Sequence, residues 1–256
     1  MIASMHRELD VMRGIARQAG EIALRYWQQG IAFESKSDLS PVTQADRECE
    51  QSIVRALEEQ FPDDGIMGEE GAMKSSRNGR RWIVDPIDGT RDFVRGNPVW
   101  GMLIGLEADG EVIAGCAYLP ALGQMFFASR GGGAYLNDRP IRVSAVASPE
   151  DAVLCMDCFN RVTACAFGPR LLEWLKSFWA VRSMGGCLDA MMVARGQADL
   201  WIEPSAKPWD LAPLKIIAQE AGGRFFDFKG ESTIYGGNCV ICTPGLEKHA
   251  RDFFCR

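Results

Sequence analysis

The sequence predicts a layered α/β (α+β) sandwich: two helices on a largely antiparallel sheet, followed by a second α/β half. Three observations lead there. Residues 7–29 and 44–60 carry apolar side chains at helical spacing. Residues 66–142 turn to short strand-like runs broken by turn residues, and after Ser148-Pro149 strand and helix patterns alternate.

In the first segment Leu9, Met12, Ile15, Ala16, Ala19, Ile22, Ala23 and Tyr26 form one stripe, and Gly30 suits a C-terminal stop. The loop Ser35–Pro41 leads to the second helix, which Phe61-Pro62-Asp63-Asp64-Gly65 ends. Arg81-Trp82-Ile83-Val84 reads as a short buried strand, followed by strands over 100–107, 111–119 and 124–129. Ala108-Asp109-Gly110 between two of these suits a hairpin turn. The second half offers strands over 152–157, 180–183, 199–203, 224–228 and 239–243, with helices over 169–178, 187–196, 208–221 and 244–254. A soft boundary near residue 148 divides the chain into an N-terminal half, 1–148, and a C-terminal half, 149–256, with no flexible linker, internal repeat or low-complexity tract.

Composition narrows the function. The 256 residues are 47% hydrophobic and 24% charged, enough for a sizeable core, which excludes disorder as the main state. A net charge of −6 argues against a nucleic-acid partner, because neutralising phosphates takes a basic surface. No apolar run reaches the roughly 20 residues of a membrane helix, and Met1–Asp10 lacks the apolar stretch of a signal peptide. Nine scattered cysteines read as reduced thiols of a cytoplasmic protein. Cys155/Cys158 and Cys239/Cys242 resemble a split zinc site. They fall in strand-like runs, however, where residues three apart face opposite sides, so buried thiols are expected. Gly131-Gly132-Gly133 lacks phosphate-loop spacing and reads as a turn.

The informative stretch is Asp85-Pro86-Ile87-Asp88-Gly89-Thr90, which follows the apolar Trp82-Ile83-Val84. Two aspartates three apart at a strand end, with the Ile87 carbonyl between them, are the oxygen donors that hard divalent cations take. The Gly89 and Thr90 amides beyond could open a helix suited to a phosphate. Alone, Asp-x-x-Asp-Gly reads more readily as a solvated turn. Further carboxylates shift the balance: Glu69-Glu70 after Ile66-Met67, Asp210 after Trp209, and Asp46 at the head of the second helix. Asp210 also suits a plain N-cap, and Thr43 with Asp46 a capping box. His6 and His249, the two histidines, lie near the termini, which leaves little for a histidine-rich metal site or a serine-type triad.

These motifs, with Ala221-Gly222-Gly223 downstream, resemble the inositol monophosphatase family in order and spacing over nearly the whole chain. The resemblance implies a layered α/β sandwich whose halves meet at the active site, usually in homodimers. It implies Mg²⁺-dependent, lithium-sensitive hydrolysis of a small phosphorylated metabolite. By motif position Glu69, Asp85 and the Ile87 carbonyl would hold one Mg²⁺. Asp85, Asp88 and Asp210 would hold a second, and a third, weaker ion would sit near Glu69. Thr90 and Asp46 match the pair that orients the attacking water, Gly89 and Thr90 the phosphate amides, and Glu70 stands behind Glu69.

Two substrates compete. Glu203 matches a glutamate that binds sugar hydroxyls in inositol phosphatases. Residues 93–101 and Tyr235-Gly236-Gly237-Asn238 look more like the histidinol-phosphatase branch. An acidic wall of Glu203 and Asp189 would suit histidinol's ammonium and imidazole as well as inositol's hydroxyls, so the slight preference for histidinol phosphate rests on those two segments; Asp189 is equally an exposed helix residue. Two other readings stay open: a metal-binding relative that has lost catalysis, and a glycosidase carboxylate pair, which would leave the phosphate amides idle.

Overall fold

The computed structural model describes residues 5–29, 33–35, 41–157, 159–162 and 164–255. Gly30, residues 36–40 of the expected loop and Cys158 lie outside them. The helix α1 (His6–Gln29) buries the predicted stripe from Met12 to Ala23, with Leu9 and Tyr26 at its ends half-buried. The strands β1 (Phe33–Ser35) and β2 (Pro41–Thr43) pair antiparallel ahead of α2 (Gln44–Gln60). Then come β3 (Gly65–Gly68), β4 (Met73–Lys74), β5 (Arg80–Asp88), the short α3 (Thr90–Val94), β6 (Gly101–Ala108), β7 (Glu111–Leu119), β8 (Gln124–Ser129), β9 (Gly133–Leu136) and β10 (Arg139–Ile141). They form an eight-stranded sheet in the order β10-β9-β8-β7-β6-β5-β3-β4, antiparallel except between β3 and β5. Asp109 and Gly110 both take positive φ between β6 and β7, as a two-residue hairpin requires.

The second half contains β11 (Val153–Met156), α4 (Phe159–Val162), α5 (Gly168–Leu175), β12 (Ala180–Arg182), α6 (Gly186–Ala194), β13 (Leu200–Glu203), α7 (Pro208–Glu220), β14 (Arg224–Phe226), β15 (Cys239–Cys242) and α8 (Glu247–Phe254). Its five strands run β12-β11-β13-β15-β14, parallel around β11 and antiparallel around β15. Three apolar clusters then define five layers. The helices α1 and α2 cover one face of the large sheet. Its other face, α6, α7 and one face of the small sheet share a single core. The helices α5 and α8 close the outside. Cys239 and Cys242 fall in different cores, on opposite faces of β15 as a strand demands.

Three expectations change in detail. The strand expected over 81–84 continues to Asp88, because the pairing with β6 shifts between Asp85 and Asp88 and Pro86 sits in that irregularity. The helix expected over 244–254 opens with a tight turn at 244–246 before α8 begins. The short β4, β9 and β10 were not legible: each has two to four residues, too few for an alternation to register. The turn Gly131–Gly133 is indeed no phosphate loop, since Glu220 at the end of α7 already occupies the Gly131 and Gly133 amides at 2.8 and 2.9 Å.

The seating of α7 depends on two glycines. Gly105 of β6 and Gly115 of β7 are cross-strand partners directly beneath it. A Cβ on Gly105 would fall 2.7 Å from the Ala212 methyl, and one on Gly115 would fall 2.7 Å from Ile216 and from Pro213. We expect Gly115→Ala to cost about 1–3 kcal/mol through overpacking. The midpoint of urea unfolding should fall while its slope is unchanged.

Candidate active site

The irregularity in β5 places Asp85 and Asp88 at the end of the large sheet, where the first turn of α7 brings in Asp210. One carboxylate oxygen from each lies within 4.8 Å of the others. Local bonds fix all three. Asp85 accepts the Ile87 amide at 2.9 Å, Asp88 accepts the Cys187 amide of α6 at 3.0 Å, and Asp210 accepts the Lys207 amide at 2.7 Å. The plain N-cap expected of Asp210 is therefore corrected: it is the third residue of α7 and reaches back to the amide ahead of the helix. Glu69, at the end of β3, stands against Asp85.

Burial first, then the charges of Glu69, Asp88 and Asp210, push Asp85 well above the ordinary carboxylate range. Burial also raises Asp88, and lifts Asp210 to about 7 with Asp88's charge adding to it. Hard oxygen donors crowded this closely, each raised by burial and by its neighbours' charge, are a donor set for a hard divalent cation.

Beside the cluster, Gly89 and Thr90 open α3 and line the same cleft, a cavity of about 520 Å³. The Thr90 hydroxyl lies 3.1 Å from the Ile87 carbonyl and 3.4 Å from Asp46 Oδ1. Asp46 is fully buried, and its other oxygen accepts both the amide and the hydroxyl of Thr43, at 2.7 and 2.6 Å. The capping box and a bond to Thr90 thus coexist on one carboxylate. Burial raises Asp46 to about 6.

The opposite wall carries Glu203, Asp157, Arg161, Ser205 and Lys207. Glu203, at the end of β13, is 7% exposed and accepts the Ser205 amide at 3.0 Å; burial raises it to about 8. Arg161 donates to the Ser205 hydroxyl at 2.6 Å, and Asp157 accepts the Gly186 amide at 3.3 Å. Asp189 needs correction on both counts. It is neither exposed nor among the residues lining the cleft, because its carboxylate is buried in holding the Met184 and Gly185 amides. Glu70 lies behind Glu69, its amide bonded to Glu50. Sequence reasoning missed Asp157, Arg161, Cys187 and Glu50. No motif marks the first three, whereas Glu50's spacing one helical turn after Asp46 was a usable signal.

Comparison with known proteins agrees. The model of the inositol monophosphatase family matches residues 5–254. The histidinol-phosphatase of Chlorobaculum parvum is 37% identical over 238 residues, spanning 93% of this chain and 92% of its own. That of Mycobacterium tuberculosis is 38% identical over 247 residues, spanning 94% and 95%. The solved IMPase structure of Thermotoga maritima superposes with a TM-score of 0.87 at 32% identity, covering 97% of this chain and 96% of that one. This chain is a phosphatase that belongs to the inositol monophosphatase family.

Proposed function

We propose that the cleft hydrolyses a small phosphate monoester with Mg²⁺, and that histidinol phosphate is the favoured substrate. The observation that carries this reading is the convergence of Asp85, Asp88 and Asp210 next to the Thr90–Asp46 pair. Neither feature needs the other structurally. Glu69, Asp85 and the Ile87 carbonyl would hold one ion, and Asp85, Asp88 and Asp210 a second, with a third near Glu69. When bound, Mg²⁺ supplies the positive charge that admits the phosphate and makes water a competent nucleophile. The protein's own groups then do the positioning. Thr90 accepts a hydrogen bond from the attacking water and donates its own proton towards Asp46. A carboxylate raised to about 6 suits proton uptake near neutrality. The Gly89 and Thr90 amides receive the phosphate oxygens. Water replaces the ester oxygen on phosphorus, and the alcohol leaves with a proton from solvent.

Substrate choice follows from the far wall. Asp157 offers a carboxylate to an ammonium group and Glu203 a carboxyl oxygen beside it, while Tyr235, from a segment resembling histidinol phosphatases, bonds to Glu107 and Arg81 at 2.6 Å each outside the cleft lining. The two relatives described above carry the same activity in their names. Inositol 1-phosphate is the second reading, because Glu203 would equally accept ring hydroxyls. A homodimer and a cytoplasmic setting go with the proposal. Exposed Trp179 and Met184 flank the edge strand β12 and offer apolar surface for a second copy to cover, and the described cysteines are free thiols.

Asp85→Asn and Asp210→Asn should each abolish Mg²⁺-dependent phosphate release while circular dichroism stays native; near-normal turnover in either would overturn the assignment. Asp157→Asn should raise KM for histidinol phosphate about tenfold or more, the scale of a desolvated charge pair, and leave inositol 1-phosphate nearly unaffected; equal effects on both would remove the ammonium reading. The raised carboxylates also set a pH dependence. Asp46, Asp210 and Glu203 hold protons in the folded chain that the unfolded chain releases near pH 4. Their contribution is present below that pH and lost as pH rises through about 6, 7 and 8. The metal-free protein should therefore lose thermal stability from mildly acidic to mildly alkaline pH, with Mg²⁺ raising Tm most at the alkaline end.

A further inference from the structure

We infer that Glu50 is a positioning residue for the cation site, its carboxylate clamping the turn that presents Glu69 to the cleft; the inference rests on the metal reading of Glu69 given above. Glu50 is 5% exposed and sits one helical turn after Asp46 on α2. Both its oxygens are spent on the main chain of that turn: Oε2 accepts the Glu70 amide at 2.8 Å and Oε1 the Ala72 amide at 3.0 Å. The turn closes on itself where the Gly68 amide donates to the Ala72 carbonyl at 2.8 Å. The Glu69 amide donates to the Val84 carbonyl at 3.1 Å, on the residue before Asp85. Glu69 is thus pinned on both sides, its own amide to β5 and the next one to α2. Gly68 marks how tight the clamp is, since a Cβ there would collide with the Glu50 carboxylate.

Stability alone does not account for this choice of residue. Burying a carboxylate is costly, and Glu50 stands close enough to Glu69 and Glu70 for their charges to act on it. Next to a divalent cation the same arrangement is favourable, because the clamp adds negative charge to the site while fixing a ligand. The helix α2 would then serve the reaction twice from successive turns, through Asp46 towards Thr90 and through Glu50 towards Glu69. Groups of this kind behind metal ligands change metal affinity about 10–100-fold when altered.

The test is calorimetric Mg²⁺ binding, with the Mg²⁺ dependence of phosphate release, for the wild type, Glu50→Gln, Gly68→Ala and a control, Asp64→Asn. Glutamine keeps one acceptor but sets an NH₂ group against the second amide. Mg²⁺ affinity should fall about tenfold or more, the Mg²⁺ concentration for half-maximal rate should rise in parallel, and kcat at saturating Mg²⁺ should change far less. Gly68→Ala, pressing on the same carboxylate, should reproduce the pattern. Asp64 is a buried carboxylate bonded to Trp82 and Arg80, so Asp64→Asn should lower Tm without moving Mg²⁺ affinity. Wild-type Mg²⁺ affinity in Glu50→Gln, or an equal loss in Asp64→Asn, overturns the proposal and leaves the metal reading standing. A wild type that takes up no Mg²⁺ overturns both.

Discussion

Like charge gathered in a partly buried cleft is the constraint around which this molecule is arranged. Asp85, Asp88 and Asp210 come from sequence positions up to 125 residues apart and meet in the wall of the cleft, Asp85 buried and the other two half-buried. Crowding of this kind is unfavourable unless dipoles or cations answer it. Part of the answer is main-chain: the N-terminal turn of α6 meets Asp88 through the Cys187 amide and Asp157 through the Gly186 amide. Asp210 sits in the first turn of α7, where a helix favours negative charge. The dipoles do not cancel the crowding: burial and neighbouring charge still hold Asp85, Asp88 and Asp210 above the ordinary carboxylate range.

The layered architecture is what makes the meeting possible. The helix α7 is buried from Leu211 to Ala218 between two sheets, so its N-terminus is held by packing on both sides. The paired glycines beneath it let the helix approach the large sheet closely enough for Asp210 to reach β5. On the other face, α2 contributes its N-terminal turn, and its capping box doubles as support for Thr90. Packing and chemistry therefore draw on the same elements.

Much of this was legible in the sequence, and the exceptions have physical reasons. The helices α1 and α2 and the strands β7 and β8 are long and regular enough for periodicity to locate them closely. The clustered carboxylates were legible because Asp85 and Asp88 stand three apart in one motif, Glu69 follows an apolar strand end and Asp210 opens a helix. Asp189 misled because it follows a glycine-rich loop, and nothing local reveals that its carboxylate turns inward to hold that loop. Asp157 and Arg161 were invisible for the opposite reason, since their place beside Glu203 arises only when β11 and β13 pair. Glu50 hides on a helix where acidic residues abound.

The irregularity at Pro86 has a mechanical corollary. Asp85 and Asp88 belong to a strand flanked by neighbours on both sides, not to a mobile connection at the rim. Two of the three clustered carboxylates are in effect bolted to the interior of the eight-stranded sheet. The facing jaw is built differently, from α4 and residues 205–207, which border the opening without belonging to that sheet. Division of labour between an anvil and a jaw would let related enzymes retune what they accept by altering the jaw, while the anvil stays untouched.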